Sequence, residues 1–578
     1  MQATTPRLKP LAFGVFLAVG FAHVPHALAQ AVRPDAGSLL ESTRPPAAAP
    51  ALPKQILPKD AALPAGTQAN TARVKVARFA IEGAKQIPTS EIEALLADLV
   101  GKELSFEELR AAATRVTQLY QARGAFLSRA VIPEQDVASG TVRLVVLEAK
   151  YGKVTIGGAN LRLSQSRLDG TLAGAGVSTG SDIDRQQLER GLLLLDALPG
   201  IDVKAVLSPG STVGAADINV TATEGKLFNG QVGVDTLGNR YTGRNRVSGG
   251  LTLNDLLGQG DQAILRGILA SGSQYAKAGY SIPLGYSGLR VGVNASAFNY
   301  ELCCGFSALQ AKGTARAADI NASYPIILNQ TQSLYGSLTL GQRRLRDEAL
   351  GVNIADKRIT DWNGGLSWIR GDGLGGTNRL NANYSRGNVG LSGNAGFELA
   401  DAATARTRGS YGKLMLDYTR LQPLATSHSL LFHVAAQSAS KNLDTSEKMA
   451  LGGYNGVRAY PQNEANGDDA FVATVEYAWA LPVQVPGVLS LNAFFDAGRV
   501  RLNKSTWAGW QGLRTTLPNS YSLAGAGLGV TWNRAQDFSL TASIARQLGS
   551  NPGRNPDGTD VDGSRSRSRV WLVANKYF

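Results

Sequence analysis

The chain of 578 residues has few of the groups that most enzymes and metalloproteins need: two cysteines, adjacent at Cys303 and Cys304, and four histidines. Without a C-x-x-C pair and with so few imidazoles, a zinc centre is excluded, and no metal or cofactor is expected. The cysteines read as a vicinal disulfide or as two loop thiols. Charged residues make up only 18% and hydrophobic ones 43%, which excludes a disordered polyelectrolyte. After the N-terminal leader no run of 18 apolar residues appears, so no membrane-crossing helix is expected. A β-barrel escapes that test, because its lipid-facing residues only alternate. No P-loop signature is present. "GDGLGG" at 371–376 matches G-x-G-x-x-G, but strand-like "TNRLNANYSR" follows where a phosphate cradle needs a helix, so a hairpin turn is expected. With no catalytic constellation in view, the chain is not expected to be an enzyme.

What is present begins with an export signal. Arg7 and Lys9 precede the apolar "LAFGVFLAVGF", and "ALAQ" offers cleavage after Ala29, so 1–29 reads as a signal peptide. The formal charge of +13 is scattered rather than gathered on a basic helix, which points to loops and a polar lumen and not to nucleic acid. Residues 30–71 comprise a helix and a Pro/Ala-rich linker: "RPDAGSLLES" reads as a short amphipathic helix that Asp35 can cap and that carries Leu39 and Leu40, and the linker follows it.

Two similar units follow, at 72–150 and 151–225. In the first, "VKVARFAIEG" reads as a strand, "PTSEIEALLADLVG" and "SFEELRAAATRVTQLYQARG" as Ser-capped helices, and "AFLSRAVIP" and "GTVRLVVLEA" as strands. The same β-α-α-β-β order recurs, with helices expected at Leu161 to Leu172 and in "DRQQLERGLLLLDAL", giving a repeat of about 75 residues. From 226 to 578 the helical period vanishes. Strands alternate, as in "VLSLNAFFDAG", where Leu489, Leu491, Ala493 and Phe495 share one face, and glycine-rich turns separate them. About sixteen hairpin-connected strands can be counted, an even number as bacterial outer-membrane barrels require. The expected fold class is therefore a membrane all-β protein: a 16-stranded antiparallel transmembrane β-barrel preceded by two small α/β domains.

One long segment, from about Ser438 to Asp469, interrupts that pattern between the eleventh and twelfth strands. Strand parity makes it the sixth extracellular loop. It contains "GGYNGVRAYP", in which Arg458 is a lone cation among glycines. If the loop folds back into the barrel, Arg458 needs an anion, and Asp496 of "FFDAG" on the polar face of strand thirteen is the natural one. A solvated loop arginine is the alternative.

Together the leader, helix and linker, tandem repeats, barrel, "GGYNGVRAY" and "FFDAG" resemble the two-partner secretion transporters (TpsB family), which export filamentous haemagglutinin and secreted haemolysins. The resemblance covers essentially the whole mature chain, with "DTLGNRYTG" and "LSRAVIPEQDVASGTVRLVVLE" as supporting stretches. It implies that the two units are polypeptide-transport-associated (POTRA) domains in the periplasm, and that the barrel lies in the outer membrane. It further implies that the POTRA domains bind one large unfolded exoprotein (an adhesin, haemolysin or related protein), which crosses without ATP. The family's loop enters the lumen as a lock, which carries over to Val457, Arg458, Ala459 and Tyr460, with Phe494, Asp496 and Gly498 on the wall. The usual VRG has Ala459 in place of its glycine. The helix with Asp35, Leu39 and Leu40 becomes a plug. An outer-membrane insertase of the same superfamily and a passive porin are the competing readings; the first usually has more repeats, and the second needs none.

Overall fold

In a computed structural model of the chain, residues 34–41, 43, 52 and 73–578 are described. The expected signal peptide at 1–29 and most of the 30–71 linker lie outside the described residues. The first element, α1 (Ala36–Glu41), starts where Asp35 accepts the Ser38 N–H at 2.9 Å. The reciprocal bond from Asp35 N–H to Ser38 Oγ, 3.1 Å, completes a capping arrangement for so short a helix.

The first α/β unit runs β1 (Arg73–Lys75), β2 (Arg78–Glu82), α2 (Thr89–Leu96), β3 (Glu103–Ser105), α3 (Phe106–Ala122), β4 (Arg129–Val131) and β5 (Thr141–Leu147). β2 pairs parallel to β5, with β4 antiparallel on its other side. "VKVARFAIEG" is not one strand. It divides at 76–77, because β1 leaves the main sheet to pair with β3. Nor does serine cap both helices. α2 is preceded by Pro88 and has no side-chain cap, whereas Ser105 caps α3 in a full capping box with Glu108. Proline suits the entry to α2, since it lacks an N–H and its φ is already set.

The second unit repeats the plan with β6 (Lys150–Gly157), α4 (Gln165–Gly174), α5 (Arg185–Asp196), β7 (Ile201–Pro209) and β8 (Ala215–Glu224). α4 begins four residues later than its apolar pattern suggests. In both units the apolar face of a helix pair closes over the sheet. Leu96, Val116, Tyr120 and Leu144 are fully buried in the first, and Leu168, Leu188, Leu192 and Val220 in the second. Each such side chain contributes roughly 1.5–3 kcal/mol.

The barrel opens with β9 (Phe228–Asp235), β10 (Arg246–Asn254), β11 (Gln262–Ala270), β12 (Ser273–Pro283) and β13 (Arg290–Glu301). It continues with β14 (Lys312–Leu328), β15 (Gln332–Ala349), β16 (Val352–Gly371), β17 (Thr377–Gly390), β18 (Gly409–Ala425) and β19 (His428–Ala439). A two-residue ribbon, β20 (Met449–Ala450) with β21 (Asn466–Gly467), belongs to the long loop. Then come β22 (Asp469–Ala480), β23 (Val488–Arg501), β24 (Ser520–Arg534), β25 (Phe538–Leu548) and β26 (Ser568–Tyr577). Sixteen antiparallel strands close on themselves, β26 pairing with β9, so no sheet edge is left facing lipid. Phe578 and Gly230 exchange both backbone hydrogen bonds at 3.0 Å across that seam. "GDGLGG" is the turn after β16, held by Asp372, which accepts from the Leu374 and Gly376 N–H groups at 3.0 Å each.

The second unit is fastened beneath the barrel. The Arg167 guanidinium stacks 5.0 Å over Tyr286 in the β12–β13 turn and donates to Gln259 Oε1 at 3.2 Å. Arg190 donates to Pro325 O at 2.9 Å, and Leu193 and Leu194 bury against Leu328. Gly170 is required here, because a Cβ would come 2.4 Å from the Tyr286 ring.

Candidate functional site

Residues 440–468 descend into the barrel rather than rising from it, and they contact strands on the far wall. Two glycines make the descent possible. Gly453 has φ +121°, and a Cβ on Gly456 would lie 2.1 Å from Leu451 O. Arg458 then faces the wall. Its Nε donates to Asp496 Oδ2 at 3.0 Å and its Nη2 to Asp496 Oδ1 at 2.9 Å, a bidentate fork, while its backbone N–H donates to Oδ2 at 3.1 Å. Asp496 is completely buried and also accepts from Thr474 Oγ1 at 2.9 Å. The structure therefore brings together the two residues that sequence spacing singles out.

Sequence reasoning missed the third member. Arg458 Nη1 donates to Glu476 Oε2 at 2.6 Å, and Asn492 Nδ2 holds the other Glu476 oxygen at 2.8 Å. Glu476 reads in the sequence as an ordinary lumenal acid. Only the β22–β23 register, which sets Thr474 opposite Asp496 and Glu476 opposite Phe494, puts it beside the arginine. The Phe494 ring lies 3.4 Å from the guanidinium carbon, covering the face that water would otherwise solvate. From β26, Trp571 Nε1 donates to Arg458 O at 2.8 Å.

The neighbours of Arg458 pack the loop to the wall. Val457, Ala459 and Tyr460 are fully buried in a cluster with Leu451, Val472, Phe494 and Leu523. Ala459 meets a wall glycine: a Cβ on Gly525 would stand 2.5 Å from the Ala459 Cβ. Gly498 likewise leaves room for Leu451, whose Cδ2 would be 3.0 Å from an added Cβ. Further along, Glu464 is held by Asn551 Nδ2 at 3.0 Å and by the Val561 N–H at 2.8 Å.

The short helix α1 sits in the lumen beside this loop. Asp35 pairs with Lys357 Nζ of β16 at 3.2 Å and accepts from Thr445 Oγ1 of the loop. Lys357 also pairs with Asp444 at 2.8 Å. The Ala36 N–H donates to Asp347 Oδ1 at 2.9 Å, which Tyr300 OH binds at 2.6 Å. Asn463 Nδ2 reaches back from the loop to Ser38 O at 3.1 Å. Leu39 is fully buried among Phe298, Leu345, Ile359 and Leu443, with Leu40 half-buried at the edge of that cluster. None of these partners is visible from the sequence of the helix itself.

A cavity of about 480 Å³ with a mixed lining remains beside the loop, bordered by Lys413, His433, Arg458 and Glu476 and by Met415, Leu431 and Phe494 among others. No three His, Cys, Asp or Glu side chains among the described residues are grouped so as to hold a metal ion. Cys303 and Cys304 are joined as a disulfide, which decides between the two sequence readings. The stretch "GVSTG" at 176–180 matches G-x-S-x-G. It lies in the connection between α4 and α5, where Ser178 O accepts from Ser181 Oγ at 2.7 Å, and not at the strand-to-helix elbow a nucleophile requires.

Comparison with known proteins agrees with this architecture. The haemolysin secretion/activation protein ShlB/FhaC/HecB family matches residues 214–532, and the ShlB-type POTRA domain matches residues 74–149. The heme/hemopexin transporter protein HuxB of Haemophilus influenzae (strain 86-028NP) is 27% identical over 500 residues, covering 86% of this chain and 85% of that protein. The outer membrane transporter CdiB of Dickeya dadantii (strain 3937) is 25% identical over 452 residues, covering 73% of this chain and 76% of that protein. In fold, the chain superposes on CdiB from Escherichia coli with a TM-score of 0.72 at 21% identity, covering 99% of this chain and 100% of that one. The chain belongs to the haemolysin secretion/activation protein family of ShlB/FhaC/HecB type, the two-partner secretion transporters that carry an exoprotein across the outer membrane, with POTRA domains in the periplasm.

Proposed function

We propose that this transporter takes up one large exoprotein (an adhesin, haemolysin or related protein) as an extended chain at its POTRA sheet edges and passes it through the lumen without ATP. In this reading α1 plugs the pore at rest, and the 440–468 loop is locked to the wall by Arg458. The observation that carries the reading is the threefold clasp of Arg458 by Asp496 and Glu476, a buried tether on an otherwise mobile type of element. The plug role is supported by the polar contacts of α1, which reach both the wall and the loop around the apolar seat of Leu39. Such contacts can be exchanged for water or for a passing chain at low net cost, because buried ion pairs are weak net stabilisers.

Capture by strand addition is supported by the edges of the two main sheets, β2 and β4 in the first unit and, in the second, β7 and the part of β6 beyond its bridge to Asp182. Main-chain bonds along such an edge tolerate varied sequence, as an export device requires. Direction would come from folding of the exoprotein outside. The test is direct binding of a fragment spanning 73–225 to the unfolded N-terminal region of the exoprotein encoded alongside this chain. Saturable binding that a folded exoprotein does not compete for is expected; no affinity would remove the capture step.

A further inference from the structure

The outer wall of the barrel carries charge that secretion through the lumen does not use. On four consecutive strands the outward-facing residues run upward through an apolar belt and then reach an arginine. On β14, Tyr324 and Ile320 give way to Arg316; on β15, Leu338 and Leu340 give way to Arg344. On β16, Leu366 and Trp362 precede Arg358, and on β17 Tyr384 precedes Arg386. All four arginines are exposed. The ladder sets Arg316 directly opposite Arg344, and Arg344 directly opposite Arg358. Like charges facing each other across strands, with Cβ atoms about 4.5–5.5 Å apart, are destabilising unless something answers them.

The protein answers only part of this charge. Asp356 accepts from Arg344 at 2.9 and 2.7 Å and stands 3.6 Å from Arg346, and Glu348 lies 3.9 Å from Lys312. No carboxylate among the described residues is within ion-pair distance of Arg316, Arg358 or Arg386. Below the row, beyond one layer of Ala318, Gln342 and Thr360, the exposed wall is apolar: Ile320, Leu340 and Trp362, with Tyr384 5.6 Å from Trp362 ring to ring. These strands, of 17, 18, 20 and 14 residues, exceed the roughly 9–11 needed to cross the bilayer, so their upper ends stand at and above the outer-leaflet headgroups.

We propose that the Arg316–Arg344–Arg358 row, with Arg386, is a binding site for the phosphorylated headgroup of an outer-leaflet glycolipid, whose acyl chains lie on the apolar wall beneath. Guanidinium forks match phosphate oxygens in pairs, and a multiply charged headgroup supplies the anions that Arg316, Arg358 and Arg386 lack within ion-pair distance. The adjoining apolar wall is what favours a lipid over a soluble anion. An exported chain travels in the lumen and does not meet this face.

The test uses the full-length protein in detergent, titrated with a phosphorylated lipid A-type glycolipid and with the same lipid after phosphatase treatment, and read by native mass spectrometry. Arg316→Gln/Arg358→Gln is compared with Arg370→Gln, an outward arginine at the opposite end of β16, and with the single Arg316→Gln change. Heat-modifiable migration reports that each barrel is folded. The double variant should bind the phosphorylated lipid about tenfold or more weakly, the single variant at an intermediate level, and the control like the parent. Phosphatase-treated lipid should bind weakly to all. Equal affinity in parent, double and single variants would overturn the assignment. So would equal binding of the dephosphorylated lipid, or displacement by inorganic phosphate at concentrations equal to the lipid's.

Discussion

Replacing Arg458 by alanine removes three side-chain hydrogen bonds, two to Asp496 and one to Glu476. It leaves a completely buried carboxylate holding only the Arg458 N–H and the Thr474 hydroxyl. Breaking a buried pair by deleting one partner costs about 3–5 kcal/mol. The two surviving bonds to Asp496 argue for the lower end. About 3 kcal/mol is a shift of roughly a hundredfold in the balance between the seated and released loop. Assembly should survive, since the lipid-facing wall and closed ladder do not involve this contact. Asp496→Ala should be milder than Arg458→Ala, because Glu476 still holds the arginine, and Glu476→Ala milder again. The assay is exoprotein secreted at matched outer-membrane levels, paired with protease sensitivity of residues 440–468 from outside the cell. The Arg458→Ala/Asp496→Ala double variant should scarcely exceed Arg458→Ala alone, because both changes break one interaction. Additive defects would refute the lock.

Other outcomes follow from single contacts. Gly525→Ala should strain the loop by about 1–3 kcal/mol through its clash with Ala459, and adding Ala459→Gly in the same chain should restore secretion. Deleting 33–43 should raise single-channel conductance in planar bilayers with the barrel still folded, and Asp35→Ala, which loses Lys357 and Thr445, should raise the frequency of openings; unchanged traces would contradict the plug. The hydrogen bond from the Ser105 backbone N–H, with the Ser105 side chain beside it, holds the Glu108 carboxyl below its ordinary 4.5, so the support it gives the start of α3 is complete above that pH and is lost as pH falls through the lowered value. Amide exchange at 106–110 should therefore differ between the parent and Glu108→Gln at neutral pH and converge in acid.

Much of this architecture is legible in the sequence because a barrel writes itself with period two. The alternation in "VLSLNAFFDAG" fixes which residues of β23 face the lumen, and counting hairpins gives the number of strands. Parity then places the long loop between the eleventh and twelfth strands and Asp496 on the thirteenth, as observed. What alternation does not give is register. Glu476 stands beside Arg458 because of which residues β22 and β23 pair, and Lys357 and Asp347 meet α1 across more than 300 residues of chain. Such contacts depend on where a folded-back segment comes to rest, which no local pattern encodes. The split of "VKVARFAIEG" has the same origin, since β1 is recruited by β3, a partner whose three residues carry almost no strand signal of their own.

The claim that this protein alone suffices for nucleotide-free passage is tested most directly by reconstitution. Purified full-length transporter, oriented in proteoliposomes, is offered the unfolded exoprotein from the POTRA side with no nucleotide present, and protease-protected exoprotein inside the vesicles is measured. Protection that depends on the transporter and on an intact POTRA pair is expected. Passage that begins only when nucleotide or a further protein is supplied would contradict the claim.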